Sequence, residues 1–217
     1  MSPRPRRPEP RRVPEPDAAY HDRLTRFKND LGRIGVRDVI WKHITTGPTA
    51  KIDEEAYFEL RHRIAQRFGL HPSSVIIVGS CKLGFALKPK GEGPDRARYE
   101  PAGDRNDVDV AIGSQALFDS LWDTTFELIQ RKWDWSLDHG RLFARDLFNG
   151  WISPSELPAS PNIPPVREWK EFFEAQTRSR LCGYRKIEGR LYRSWARLEA
   201  YQETMVSQCW QELKLQG

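Results

Sequence analysis

Two short stretches decide the fold of this chain: VIIVGSCKLGFALK at residues 75–88 and DVDVAI at residues 107–112. The first begins with an uninterrupted β-branched run, which is typical of a strand buried on both faces, and the run ends at a glycine-serine pair. The second alternates carboxylates with apolar residues, so a strand would place both aspartates on one face and both valines on the other.

The aspartates and the glycine-serine pair together indicate a binding site. Asp107 and Asp109 would raise one another's pKa unless a cation lay between them. Mg²⁺ prefers such oxygen ligands and is usually held by only one or two protein carboxylates. Gly79 permits close backbone approach, and the hydroxyl of Ser80 and the amides beside it can bind phosphate oxygens. We therefore expect a site for Mg²⁺ (or Mn²⁺) and a phosphorylated ligand.

Each stretch also has an ordinary interpretation, because Gly-Ser pairs are common in turns and Asp-x-Asp is common at solvated edges. Their order is more specific. A strand ending at Gly79-Ser80, a short helix, an irregular excursion and a strand carrying Asp107 and Asp109 resemble the nucleotidyltransferase superfamily that includes polymerase β. The resemblance covers about residues 55–130, and the stretch from Ser80 is similar to small bacterial nucleotidyltransferases, several of them associated with antiphage defence.

The resemblance implies an α+β fold with a polymerase β-like palm: a small mixed sheet, flanking helices and C-terminal helices. It also implies an enzyme that moves a nucleotide from an NTP or dNTP to a hydroxyl acceptor and releases pyrophosphate. Asp107 and Asp109 would be the catalytic metal ligands, and Gly79 and Ser80 would bind the nucleotide. Lys82 is the best-placed cation for the triphosphate; an exposed lysine on a helix is an equally good interpretation.

The sequence departs from the family in two respects. Residues 89–106 form a longer excursion than usual between the two stretches, and they must loop out for the stretches to meet. The family also commonly carries a third carboxylate on a later strand, and no later segment shows one clearly. Asp134 is a weak candidate for this third metal ligand, as are Asp138, Asp146 and Glu188, and a surface ion pair is the ordinary role of each.

Two other functions stay open. One is a nucleotidyltransferase-fold antitoxin that modifies or masks a toxin or effector protein. The other is a non-catalytic nucleic-acid-binding module that uses the N-terminal tail and the basic, aromatic run at residues 184–197. The same run also fits a basic outer face of a helix whose aromatic residues enter the core.

Composition bounds the remaining possibilities. The chain has 217 residues, of which 38% are hydrophobic, so it can bury one sizeable core. No apolar run approaches the ~20 residues that cross a bilayer, and the three cysteines are far apart. We therefore expect a reduced, cytoplasmic protein with no membrane span and no signal peptide. The net charge of +5 mildly favours polyanionic partners.

Sequence patterns divide the chain into four segments. These are a disordered Pro/Arg-rich tail at 1–17, an N-terminal helical segment at 18–50, the nucleotidyltransferase core at 51–150 and a C-terminal helical region at 151–217. Within the core, Asp53 and Gly69 are the expected caps of one helix. Apolar residues recur every three or four positions from Ile187 to Met205, which predicts a single long helix there.

Overall fold

The computed structural model describes residues 16–89, 98–130, 137–157 and 164–216. Its architecture is α+β, with a small four-stranded mixed sheet and helices on both faces. The helices are α1 (Ala18–Arg33), α2 (Val36–Ile40), α3 (Glu54–Phe68), α4 (Gly79–Leu83), α5 (Gln115–Gln130), α6 (Leu137–Phe148), α7 (Pro164–Arg178) and α8 (Trp195–Gln216). The strands are β1 (Val75–Val78), β2 (Val108–Gly113), β3 (Trp151–Ile152) and β4 (Ile187–Tyr192). The tail at 1–15 lies outside the described residues.

Shorter helical turns complete the backbone. A π-helical turn, Trp41–Thr45, continues directly from α2, and 3₁₀ turns occupy Pro72–Ser74 and Pro154–Glu156. No helix in the described part of the chain is both long and apolar enough to cross a membrane.

The sheet has the strand order β1-β2-β4-β3. Strand β2 is antiparallel to β1 and parallel to β4, and β3 pairs antiparallel with β4 at the far edge. The end of β1 therefore lies beside the beginnings of β2 and β4. Residues that begin the two parallel strands meet the turn that follows β1 at one end of the sheet.

Local sequence explains the helices that frame the sheet. The Asp17 side chain caps α1 by accepting a hydrogen bond from the Tyr20 amide at 2.6 Å. Asp53 caps α3 by accepting from the Ala56 amide at 2.8 Å, and Gly69 ends that helix in the left-handed conformation with φ of 64°. The sequence predicts both caps of α3, and the structure confirms them.

Each face of the sheet packs into its own hydrophobic cluster. Val108, Val110 and Ile112 of β2 join a core formed with α3, α5 and α7, whereas Ala111 joins a second core formed with α1, α2 and α8. The alternation along β2 therefore agrees with the sequence pattern. Asp109 lies on the side of Ala111, because residues two apart on a strand share a face.

The long C-terminal helix expected from Ile187 is wrong in its first part. Residues Ile187–Tyr192 form β4, and the helix begins only at Trp195. A side chain at Gly189 would place its Cβ 2.3 Å from Phe173 Cζ, so the backbone of β4 packs directly against α7. The region 151–217 is consequently not a helical unit, since β3 and β4 belong to the central sheet. The basic run at 184–197 is likewise not one helix face.

Candidate functional site

The turn after β1 brings Gly79 against Asp109. Val78 pairs with Asp109 in the β1-β2 ladder, and Gly79 then turns away with φ of +70°. A Cβ at this position would lie 2.8 Å from Asp109 Oδ2. Only glycine combines this left-handed backbone with such a close carboxylate. The glycine-serine turn and the second aspartate are therefore neighbours on the same side of the sheet.

Asp107 lies one step outside the regular strand. It immediately precedes β2 and is exposed, whereas Asp109 is half-buried. The Asp107 carbonyl accepts a hydrogen bond from the Cys81 thiol at 3.3 Å, which ties the entry of β2 to α4. The two aspartates thus differ in environment, since one faces solvent and the other lines the turn.

The structure adds a third carboxylate on a later strand. The parallel pairing of β2 with β4 places Glu188 directly opposite Asp109. Its neighbours Ile187 and Leu191 point into the core formed with α3, α5 and α7, so Glu188 lies on the opposite face, together with Asp109. From the sequence alone Glu188 is only a weak candidate, because the helix expected from Ile187 conceals its place on a strand.

Charges of both signs surround Asp109. Burial raises the pKa of the Asp109 carboxyl; Arg190 opposes the shift, whereas Glu188 and Asp107 add to it. Arg190 Nη2 lies 3.8 Å from Asp109 Oδ1, and Lys186 forms an ion pair with Glu188. The site is therefore a cluster of three acids partly compensated by two cations.

The donor chemistry of this cluster fits a hard divalent cation, because carboxylate oxygens are the ligands that Mg²⁺ prefers. In the described residues, however, no group of three or more histidine, cysteine, aspartate or glutamate side chains is arranged closely enough to hold a metal ion. The acids share one end of the sheet without forming a closed cage of ligands.

Asn106 is a polar contact of the site that sequence analysis misses. Its Nδ2 donates to Ser80 Oγ at 2.9 Å, and its Oδ1 accepts from the Gly103 amide at 3.0 Å. Because Ser80 Oγ accepts this bond, its own hydrogen can point toward a ligand. The only feature of the sequence that could have indicated this contact is the position of Asn106 directly before Asp107.

The excursion between the two stretches does close, as the sequence requires. The Ala86 amide donates to the Glu100 carbonyl at 2.9 Å, and the Ala102 amide donates to the Gly84 carbonyl at 2.8 Å. Phe85 and Pro101 form an isolated bridge between these segments. The returning chain therefore enters β2 beside the glycine-serine turn.

Lys82 points away from the acidic cluster. Its side chain is 2% exposed, and its ammonium group donates to the Gly47 carbonyl. It also lies 5.9 Å from the centre of the Tyr57 ring. Burial, with a smaller contribution from the nearby Arg61, lowers the pKa of Lys82 to about 8. Both expected positions, beside a triphosphate and on an exposed helix face, differ from this buried one.

Of the other candidate acids, Asp146 does not join the cluster, and the side chain of Asp138 is not among those that the structure describes. Asp134 lies outside the described residues. The buried Asp146 on α6 forms an ion pair with Arg145 at 2.8 Å. Of the weak candidates whose side chains are described, Glu188 alone faces Asp109.

The cysteines are unsuited to nucleophilic catalysis. All three are free and buried. Burial raises the pKa of the Cys81 thiol to about 11, so its reactive thiolate form is disfavoured at neutral pH. The structure supports a packing role for Cys81, as its position beside Ser80 also allows.

Comparisons with known protein families, with curated proteins and with solved structures found no match. The geometry and the residue types of the site are therefore the only basis on which its chemistry can be inferred.

Proposed function

We propose that this chain is a metal-dependent nucleotidyltransferase that moves a nucleotide from an NTP or dNTP to a hydroxyl acceptor. The observation that carries the proposal is the pairing of three strands at one end of the sheet. This pairing gathers Asp107, Asp109 and Glu188 beside the Gly79 turn. Repulsion from Glu188 and Asp107 adds to the burial that raises the pKa of Asp109, which favours a role in binding a cation.

In this proposal Mg²⁺ or Mn²⁺ would be held by two carboxylates of the cluster, Asp109 with Asp107 or Glu188, since one or two protein carboxylates usually suffice for Mg²⁺. The metal would supply neutralisation of the charge that develops on the attacking and leaving oxygens. Gly79 leaves room for the triphosphate because it has no side chain, and Ser80 donates its hydroxyl hydrogen to a phosphate oxygen. Asn106 fixes the orientation of that hydroxyl by donating to Ser80 Oγ.

The two cations beside the acids have a defined part in the same proposal. Lys186 and Arg190 contact Glu188 and Asp109 in the structure. When a metal ion compensates the acids, the side chains of Lys186 and Arg190 are free to contact the anionic phosphates instead.

In the proposed reaction the acceptor hydroxyl attacks the α-phosphorus, and pyrophosphate is the leaving group. The suggested role in antiviral defence rests only on the resemblance in sequence.

The test measures transfer of label from each α-labelled NTP and dNTP, with and without an oligonucleotide, in Mg²⁺ or Mn²⁺. Wild type is expected to form a labelled product, and Asp109→Asn and Glu188→Gln are each expected to lower the rate at least about a hundredfold. Glu174→Gln is the matched control, because Glu174 is exposed on α7 and pairs with its helical neighbour Arg178 at the surface. It is expected to keep full activity.

A folding defect is distinguished by thermal unfolding. Asp109→Asn removes one of several repelling acids, so its stability should be equal to or above that of wild type. Product formation that survives in both acid variants would overturn the proposal.

If no product forms, binding measurements separate the alternatives. Salt-sensitive binding of nucleic acid that is unchanged by Asp107→Ala would favour the non-catalytic module. Copurification with one stoichiometric protein partner would favour the antitoxin.

A further inference from the structure

A cavity of about 550 Å³ lies beside the edge strand β1, between α3, the π-helical turn and the start of α8. Its volume is within the ~300–1,000 Å³ range of small-molecule sites in proteins. The residues that define its chemistry are Trp41, Tyr57, Arg61, Ser73, Trp195 and Glu199. None of these residues is among the charged groups that act on Asp109. The cavity lining also shares no residue with the acidic cluster.

Aromatic rings form much of the cavity wall, and Trp41 is held in place. Its Nε1 donates to Glu199 Oε1 at 2.9 Å, and the Arg37 guanidinium lies 4.9 Å from the centre of its ring. Trp41 is nevertheless 42% exposed, so part of the indole is available to a ligand. Trp195 and Tyr57 contribute two further rings to the lining. Such walls suit a planar ring.

The backbone at Trp41 is also irregular. Trp41–Thr45 is a π-helical turn, which ends where Thr46 Oγ1 donates to the Trp41 carbonyl at 2.6 Å. π-helical turns are rare and frequently occur at functional sites. Here the turn carries both Trp41 and Thr45 into the cavity lining.

Two cations approach the Tyr57 ring at the other wall, and one of them, Arg61, itself belongs to the cavity lining. The Arg61 guanidinium lies 5.3 Å from the Tyr57 ring centre, and the Lys82 ammonium lies 5.9 Å from it. Arg61 Nε donates to the Pro72 carbonyl at 3.0 Å. Across the residues that the structure describes, neither Arg61 nor Lys82 forms an ion pair with a carboxylate within 4.0 Å. Uncompensated positive charge at a half-buried wall favours an anionic ligand.

We propose that this cavity is a second ligand site, which binds a planar ring joined to a phosphate group, as in a nucleoside monophosphate. The ring packs against Trp41 and Trp195, and the phosphate is bound by Arg61. This site goes beyond the proposed transferase reaction and does not depend on it.

Isothermal titration calorimetry with AMP tests the site, using the full chain in EDTA so that metal-bound phosphate does not contribute. Arg61→Gln is expected to weaken AMP binding at least about tenfold, since it removes a charge-assisted bond. Arg67→Gln is the matched control on the same helix, because Arg67 pairs with Glu168 at the surface. It should bind AMP as wild type does.

Two further comparisons make the result specific. Trp41→Ala should weaken AMP binding, and thermal unfolding of this variant separates that effect from the loss of the Glu199 and Arg37 contacts. Adenosine and inorganic phosphate should each bind at least about tenfold more weakly than AMP, because each lacks one half of the ligand. Asp109→Asn should bind AMP normally, which separates this site from the acidic cluster.

Several results would overturn the inference. These are an AMP affinity that Arg61→Gln leaves unchanged, phosphate alone binding as tightly as AMP, or no AMP binding at millimolar concentration. AMP binding that is lost in Asp109→Asn but kept in Arg61→Gln would assign the nucleotide to the acidic cluster. Because no metal or labelled product is involved, failure here leaves the transferase proposal untouched, and the reverse also holds.

Discussion

Substitution of Gly79 tests the contact on which the candidate site depends. In Gly79→Ala the new Cβ would lie 2.8 Å from Asp109 Oδ2, well inside ordinary van der Waals contact. The residue would also keep φ of +70°, which costs about 1–2 kcal/mol for a side chain with a Cβ. Either the turn or the Asp109 carboxylate must move, and such overpacking costs a further 1–3 kcal/mol or so.

Gly69→Ala is the matched control for backbone strain. Gly69 has φ of +64°, and a Cβ there would meet no atom within 4 Å. This variant therefore pays the conformational cost without the steric one. Denaturant unfolding should show Gly79→Ala to be less stable than Gly69→Ala by about 1–3 kcal/mol. Transferase activity should fall in Gly79→Ala alone.

A double-mutant cycle with Asp109→Ala isolates the contact. Removing the carboxylate takes away the atom that the new Cβ would meet, so Gly79→Ala should cost less in that background. Equal losses of stability in the two glycine variants, together with no coupling to Asp109→Ala, would show that the turn does not adjoin Asp109 and would refute the site.

Three further predictions follow from single contacts. Gly189→Ala should destabilise the fold by about 1–3 kcal/mol in denaturant unfolding, because its Cβ would lie 2.3 Å from Phe173 Cζ; unchanged stability would contradict the packing of β4 on α7. Burial lowers the pKa of Lys82 in the folded protein to about 8, whereas a lysine in the unfolded chain has a pKa of about 10.4. Between these two pH values the unfolded chain binds more protons, so the free energy of unfolding of wild type should rise with pH relative to that of Lys82→Met. Unfolding free energies of the two proteins that change in parallel with pH would contradict this prediction. Asn106→Ala should reduce transferase activity about tenfold with a stability loss of about 1 kcal/mol, because Ser80 Oγ loses its donor, and an unchanged rate would exclude the proposed role of Asn106.

Local signals account for the parts of the fold that sequence predicts well. The buried strand β1 can be predicted without knowing what packs against it, because four consecutive apolar residues fit only a covered strand or helix. The glycine that follows them marks the end of the strand. The same holds for the caps of α3 at Asp53 and Gly69, where side-chain chemistry and a positive φ act within one turn of the helix.

Strand β4 shows why the third acid was hidden. Ile187 and Leu191 are four residues apart, a spacing that is compatible both with one helix face and with one strand face. The helical pattern beyond Trp195 favoured the first interpretation. Gly189 is the residue that argues against a helix here, because glycine destabilises a helix interior. The structure explains this glycine by the close contact between the backbone of β4 and α7.

Lys82 shows a different limit. Its distance from Gly79 along the chain says only that both belong to one turn and one short helix. Whether the ammonium group faces the acids or the interior depends on Gly47, which comes from a distant segment and supplies the accepting carbonyl. A tertiary contact of this kind leaves no periodic trace in the sequence.

Register links the stability of the sheet to the chemistry proposed for it. A slip of β4 by one residue would turn Ile187 and Leu191 out of their core and move Glu188 to the opposite face. Burial of these two aliphatic side chains, at 3% and 0% exposure, makes that slip costly. The apolar residues of β4 thus hold Glu188 opposite Asp109 despite the repulsion between the two acids. Because the repulsion is offset by packing on the other face of the same strand, the fold itself holds Asp109 and Glu188 side by side.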